Sequence, residues 1–159
     1  MRQINYIFID SDTQTHNHQS GRCDVSNLRY HFVVNSQGPV INTTDIQFTT
    51  KLIDGPIYAH DKFNKCSIFI RYCGSLEPCG TLRSALPLGS SKNLEPSIFA
   101  ALNLELRAKL ISLLVDLRKH YPEAKILGLS ELRPKEYHAK NIIVSDAMNV
   151  LRRELSDLP

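Results

Sequence analysis

The chain of 159 residues lacks a long apolar run, because polar residues interrupt each of its hydrophobic stretches after a few positions. A helix that crosses a membrane needs about 20 consecutive apolar residues, so we expect no membrane-spanning segment. The N-terminus also lacks the apolar segment and small-residue cleavage site of a secretory signal. These absences predict a protein that is cytoplasmic as synthesised and has no membrane partner.

The cysteine pattern lacks the spacing of a structural zinc motif. The chain has four cysteines, and no two of them form a CxxC pair. Cys66 and Cys73 lie in or beside an apolar segment, where we expect small core side chains, whereas Cys23 and Cys79 lie in polar segments typical of loops. A disulfide is possible, but a reducing compartment disfavours it, so we expect free thiols.

A strong excess of charge of one sign is also absent. The formal net charge is +3, and 22% of the residues are charged, which is ordinary for a globular protein. This balance is compatible with an anionic polymer as partner but does not require one, and we expect no nucleic-acid partner. The length is sufficient for a sizeable core, so we expect residues 1–159 to form a single domain.

The hydrophobic pattern predicts several short strands. Apolar, β-rich runs occur at residues 5–9, 30–34, 67–73 and 125–128. A turn at residues 35–38, followed by residues 39–42, predicts a hairpin partner for the second strand. We expect residues 59–64 to form a polar corner and residues 75–96, which are rich in proline and glycine, to form a long surface loop.

Two segments have the pattern of helices. A leucine stripe predicts a helix over residues 104–120, with Asn103 as its N-cap. Ser145 is expected to cap a last helix over residues 146–157. The order of these elements predicts an α/β fold, in which helices cover one or both faces of a mixed central sheet.

Residues 121–135 have the features of a strand that leads into a ligand-binding loop. Pro122 ends the preceding helix, and the short strand at residues 125–128 is followed by a turn through Glu131 and Pro134 to Lys135. In α/β proteins the ligand site usually lies at the carboxyl ends of the strands. We therefore expect a functional site at this loop.

Several segments, taken together in order and spacing, indicate a family. They are residues 7–11, the Tyr-His-Phe strand at 30–34 with Gln37-Gly38, the corner at 59–64 followed by Ser67-Ile68, residues 110–117, residues 121–128 and Pro134-Lys135. The pattern resembles the zinc-dependent type-2 N-acetylmuramoyl-L-alanine amidases, whose fold is shared with amidase-type phage lysozymes and peptidoglycan recognition proteins. The resemblance implies a mixed central sheet flanked by helices, and peptidoglycan or a muropeptide as partner.

The chemistry of that family depends on one zinc ion. Three protein ligands hold the zinc and leave its fourth position for water, and the metal polarises the amide carbonyl. A tyrosine and often a lysine stabilise the developing oxyanion. The resemblance implies that Tyr30 and Lys135 are the catalytic helpers and that His60 and Asn64 line the substrate groove.

The chain departs from the family at the zinc ligands. The resemblance places Asp10 at the first ligand position, Leu129 at the second and Tyr137 at the third, with His138 beside it. Leucine cannot bind zinc, so at most Asp10 and His138 are expected as metal ligands, in an incomplete site. Such a site would bind zinc weakly, and we expect no cofactor unless the site is rebuilt from other residues.

Each assignment also has a plainer structural interpretation. Asp10 is typical of a strand-end cap, which is the interpretation we favour, and His31 is expected to be structural. Tyr30 is equally well explained as a core aromatic residue with a bonded hydroxyl, and His60 as a satisfied structural histidine. Lys135 is explained about as well by a solvated loop lysine.

Three functional hypotheses follow. The leading one is a catalytically impaired, amidase-like protein that acts on or recognises peptidoglycan. The enzyme alternative is an active amidase whose metal site is rebuilt from Asp10, His16, His18 and His138. His16 and His18 could also form such a site with Cys23 or Asp12. The third is an interaction module that keeps only the scaffold, since a fold does not determine a function.

Overall fold

The computed structural model describes residues 2–11, 29–35, 38–50, 60–74, 76, 96–132 and 141–158. The predicted surface loop at residues 75–96 lies almost entirely outside these ranges. None of the helices in the described part of the chain is long and apolar enough to cross a membrane.

A five-stranded mixed sheet forms the centre of the fold, with the strand order β3-β2-β4-β1-β5. Its strands are β1 (Tyr6–Ser11), β2 (Phe32–Val34), β3 (Ile41–Asn42), β4 (Ser67–Tyr72) and β5 (Lys125–Gly128). Strands β4 and β5 both pair in parallel with β1, and β2 pairs in parallel with β4. These strands confirm the apolar runs predicted from the sequence and agree with an α/β class.

The hairpin between β2 and β3 is confirmed as well. The two strands are antiparallel, and Val33 pairs with Ile41. Gly38, just before the return strand, has a φ of 72°, in the left-handed region that glycine adopts without steric cost. The glycine therefore allows the chain to turn back against β2.

Four helices accompany the sheet in the described ranges. They are α1 (His60–Lys65), α2 (Pro96–His120), α3 (Leu129–Leu132) and α4 (Asn141–Ser156). The expected polar corner at residues 59–64 is wrong, since it is largely the helix α1. The short helix α3 replaces the expected turn through Glu131, because a single helical turn is too short to show periodicity in the sequence.

Both long helices begin earlier than predicted. Helix α2 starts at Pro96, so Asn103 lies inside the helix and is not its N-cap. Proline is favoured in the first turn, where the helix leaves the backbone N–H without a partner. Helix α4 starts at Asn141, a residue type that favours helix starts, and Ser145 lies within the helix.

One face of the sheet packs against α2 and α4. Isoleucines of β1 and β4 (Ile7, Ile9, Ile68 and Ile70) meet the apolar side of the two helices, and all are buried. The buried helix residues are Leu106, Leu110, Leu114, Leu117, Met148, Leu151 and Leu155. This packing confirms most of the predicted leucine stripe and forms the main core.

The opposite face of the sheet carries aromatic side chains. Phe8, Tyr30 and Phe69 form a buried aromatic cluster, in which the ring centroids of Phe8 and Phe69 lie 5.6 Å apart with an interplanar angle of 14°. Side chains alternate along a strand, so Asp10 lies on the same face as Phe8. The aromatic face therefore ends in a polar residue at the carboxyl end of β1.

Cys73, directly after β4, contradicts the expectation of free thiols. It is disulfide-bonded and fully buried, whereas Cys66 is not in a disulfide. The expectation depended on an assumed reducing compartment, and the spacing of cysteines along the chain gives no measure of their distance in the fold.

Candidate functional site

The carboxyl ends of four strands meet at one edge of the sheet. Strands β1, β2, β4 and β5 run in the same direction, so each delivers its last residues to this edge. Asp10 of β1 and Arg71 of β4 are direct register partners. Because paired residues project to the same side of a sheet, the two side chains are neighbours on the aromatic face.

Asp10 is the centre of a small polar cluster. The Tyr30 hydroxyl donates a hydrogen bond to Asp10 Oδ2. Arg71 Nη1 donates to the Asp10 carbonyl oxygen over 3.3 Å and lies 3.8 Å from Asp10 Oδ1. We call Asp10, Tyr30 and Arg71 the edge cluster.

The charged side chains of the edge cluster are partly shielded from water. The side chains of Arg71 and Asp10 are 21% and 26% exposed. Charges in such a position are screened less by salt than charges on the open surface. The attraction between the carboxylate and the guanidinium therefore helps to fix both groups at the sheet edge.

Tyr30 combines a position in the core with a contact to the candidate site. Its ring belongs to the aromatic cluster with Phe8 and Phe69, and only 6% of the residue is exposed. Its hydroxyl nevertheless reaches the Asp10 carboxylate. Tyr30 is thus a core aromatic residue whose polar atom belongs to the candidate site.

Sequence reasoning missed Arg71. The residue interrupts the apolar run of β4, and a charge in a buried strand is costly unless it is paired. This isolated charge could have indicated Arg71 as a site residue, because it implies an anionic partner on a neighbouring strand. The identity of the partner, Asp10, follows only from the parallel register of β1 and β4.

Leu129 lies at the same edge as Asp10. Ile9 of β1 pairs with Gly128 of β5. Asp10 is the residue after Ile9, and Leu129 is the residue after Gly128. The Leu129 side chain packs against the aromatic cluster. The fold therefore brings together the two positions where the resemblance places metal ligands, but the second of them presents an apolar side chain.

The described residues do not fit a zinc site. Such a site needs three protein ligands with nitrogen, sulfur or oxygen donors, and within the described ranges no three His, Cys, Asp or Glu residues are close enough to hold a metal ion. The remaining candidates, His16, His18, Cys23, Lys135, Tyr137 and His138, lie outside those ranges. Their proposed roles stay predictions.

Helix α1 carries the two predicted groove residues. His60 is its first residue, and its side chain is outside the described part of the structure. Asn64 is only 4% exposed, and it lies in the helix directly before β4. The roles of His60 and Asn64 in substrate binding also stay predictions.

His31 is buried outside the edge cluster, in agreement with a structural role. Its Nδ1 accepts the Phe69 backbone N–H over 3.0 Å, so the ring proton lies on Nε2, which donates to the Phe48 carbonyl over 2.8 Å. Burial lowers the pKa of His31, and the nearby Arg2 guanidinium lowers it further. The ring is therefore neutral and links β4 to the segment around Phe48.

Comparisons with known proteins assign no family to the chain. No protein-family model matches it, and neither a curated protein nor a solved structure shows significant similarity to it. A functional proposal therefore depends on the chemistry of the edge cluster and on the family resemblance in the sequence.

Proposed function

We propose that this chain is an amidase-like protein of the type-2 fold that recognises peptidoglycan fragments and does not hydrolyse them by zinc catalysis. The environments of Asp10 and Leu129 together support the proposal. Where the resemblance implies the first metal ligand, the Asp10 carboxylate is engaged by Tyr30 and Arg71, and where it implies the second, the Leu129 side chain packs against the aromatic cluster.

The arrangement of the sheet supports the amidase-like part of this proposal. Two ligands of one metal ion must lie side by side, and the positions of Asp10 and Leu129 are neighbours after the paired residues Ile9 and Gly128. The predicted helper tyrosine, Tyr30, also contacts Asp10 directly. These proximities are expected if the chain descends from an enzyme whose active site lay at this edge.

The chemistry of the edge cluster supports recognition. Muropeptides present amide, hydroxyl and carboxylate groups. The edge cluster places a carboxylate acceptor beside a guanidinium and a phenol, and hydrogen bonds to such charged groups are about twice as strong as neutral ones. A partly exposed site of this kind suits a polar, uncleaved ligand.

Zinc content and hydrolysis test the loss of catalysis. Protein purified without added metal is expected to contain far less than stoichiometric zinc and to release no peptide from cell-wall peptidoglycan. Stoichiometric zinc together with hydrolysis that disappears in Lys135→Ala would show instead an active amidase with a rebuilt site.

Calorimetric titration with a soluble muropeptide tests recognition. Asp10→Asn removes the carboxylate charge and is expected to weaken binding by about tenfold or more, since a hydrogen bond to a charged group contributes about 1.5–3 kcal/mol. Asp116→Asn is the matched control, because Asp116 is exposed on α2, a helix that packs on the other face of the sheet. Absence of binding in the unmodified protein would favour the scaffold hypothesis.

A further inference from the structure

Arg71 supplies the positive charge of the edge cluster. It is the only charged residue of β4, and its side chain is 21% exposed. A partly buried guanidinium needs an anionic partner, and Asp10 is in direct register with it. Thus an Asp–Arg pair occupies the place where the family resemblance implies a ligand and its metal ion.

The position of Arg71 disfavours a metal ion on Asp10. The guanidinium lies 3.8 Å from Asp10 Oδ1 and donates to the carbonyl of the same residue over 3.3 Å. Zinc binds a carboxylate oxygen at about 2.0–2.2 Å, so a zinc ion on Asp10 would lie close to the guanidinium. The two positive charges would repel each other in a site that water screens only in part.

We propose that the Arg71 guanidinium takes the place of a metal ion at this edge of the sheet. It compensates the charge of Asp10 and excludes a divalent cation from the Asp10 carboxylate. At this edge a guanidinium charge, which suits carbonyl and carboxylate oxygens, would therefore stand in place of a Lewis acid. The proposal rests on the proposed function only for the position of the lost metal ligand.

A pair of introduced histidines allows the exclusion to be measured. In the Asp10→His/Leu129→His background, cobalt binding is followed by calorimetry and visible absorption for three proteins, which carry Arg71, Arg71→Lys or Arg71→Ser. The Arg71→Ser protein is expected to bind Co²⁺ at least about tenfold more tightly than the other two, because only serine removes the positive charge. Equal affinities in all three would overturn the proposal.

A second measurement does not depend on the folding of the double histidine variant. In the Leu129→His background, which keeps the Asp10 carboxylate and adds one nitrogen ligand at the same sheet edge, Arg71→Ser is expected to show a rise in Tm of about 3 °C with millimolar ZnCl₂, because a ligand that binds only the folded state raises Tm. The same background with Arg71 or with Arg71→Lys should show no such rise, and Asp10→Asn should abolish it. The proposal is overturned if Arg71→Ser responds to metal in neither background, or if the protein with Arg71 responds equally.

Both metal measurements are made without muropeptide. Their failure would therefore leave the binding of peptidoglycan fragments open to its own test. In the same way, a failure of muropeptide binding would not change the expected cobalt affinities.

Discussion

At the scale of single residues, Tyr30 connects the aromatic core to the polar edge of the sheet. Its ring packs with Phe8 and Phe69, while its hydroxyl donates to the Asp10 carboxylate. One side chain thus fixes the orientation of the carboxylate from within the core. A change at this hydroxyl should affect both stability and the site.

Tyr30→Phe is expected to lower the free energy of unfolding by about 1–2 kcal/mol, because Asp10 loses a hydrogen bond to its charged oxygen while the ring packing is kept. Urea denaturation measures the loss. Tyr6→Phe is the matched control, since Tyr6 packs against the same cluster and its hydroxyl makes no hydrogen bond to any residue in the described ranges. Equal losses in the two variants would contradict the assigned role of the Tyr30 hydroxyl.

His31 predicts a dependence of stability on pH. Its pKa in the folded protein lies below the ordinary value, so the unfolded chain binds more protons as the pH falls through about 6.5. The contribution of His31 to stability is therefore complete above that pH and decreases on acidification, by at most about 1.4 kcal/mol per pH unit.

Urea denaturation between pH 7.5 and 5.5 measures this slope. His31→Asn keeps an acceptor for the Phe69 N–H and removes the titrating ring, so the variant is expected to be less stable but to have a flatter pH profile. A profile of unchanged slope in His31→Asn would show that other groups cause the acid sensitivity.

The site was predictable from the sequence only in part. The resemblance indicated Asp10, Tyr30 and Leu129, and the fold places all three at or beside one edge of the sheet. Arg71 was missed because the sequence does not contain the register that pairs β4 with β1. Packing fixes such a long-range strand pairing, and local residue patterns do not predict it.

At the scale of elements, helix α3 joins the end of β5 to helix α4. Glu131 Oε1 accepts the Gly128 N–H over 2.9 Å, and the two carboxylate oxygens of Glu131 accept Arg152 Nη1 and Nη2 over 2.8 and 3.0 Å. Arg152 Nη1 also donates to the Ile126 carbonyl over 3.1 Å. This bidentate pair holds Leu129 and its helical turn beside the edge cluster.

Glu131→Gln is expected to lower the free energy of unfolding by about 1–2 kcal/mol, because the amide cannot accept both guanidinium N–H groups. Glu123→Gln makes the same change at an exposed turn residue and is expected to cost less than about 0.5 kcal/mol. Chemical denaturation of both variants makes the comparison. Similar costs would mean that the Glu131–Arg152 pair does not hold α3 in place.

The elements themselves were more predictable than their ends. Strands β1 and β4 follow from short apolar runs that are largely buried, and β5 follows from a run that is partly buried. The starts of α2 and α4 were misplaced because Asn103 and Ser145 are residue types that also occur within helices, where packing outweighs local propensity. Residue type alone does not distinguish a cap from an internal position.

At the scale of the whole molecule, the sheet separates two unlike faces. On one face, the isoleucines of β1 and β4 pack against the apolar residues of α2 and α4. The opposite face carries the aromatic cluster and leads to the edge cluster. The disulfide at Cys73 adds a covalent link directly after β4, beyond its carboxyl end.

The disulfide predicts the number of reactive thiols in the unfolded chain. The bond removes two of the four cysteines, and Cys66 is not part of it, so denatured protein without reductant should show two thiols by Ellman titration and four after reduction. Cys66→Ser should show one thiol before reduction, since it removes a cysteine outside the disulfide. Four thiols in the unreduced protein would contradict the bond.

The central claim is that the edge cluster recognises a peptidoglycan fragment without a metal ion. The most direct measurement is a calorimetric titration of the protein with a soluble muropeptide, before and after dialysis against a chelator, with the products separated by chromatography. We expect the same affinity in both titrations and an intact ligand. Binding that is lost with the chelator and regained with zinc, together with cleavage of the muropeptide, would contradict the claim.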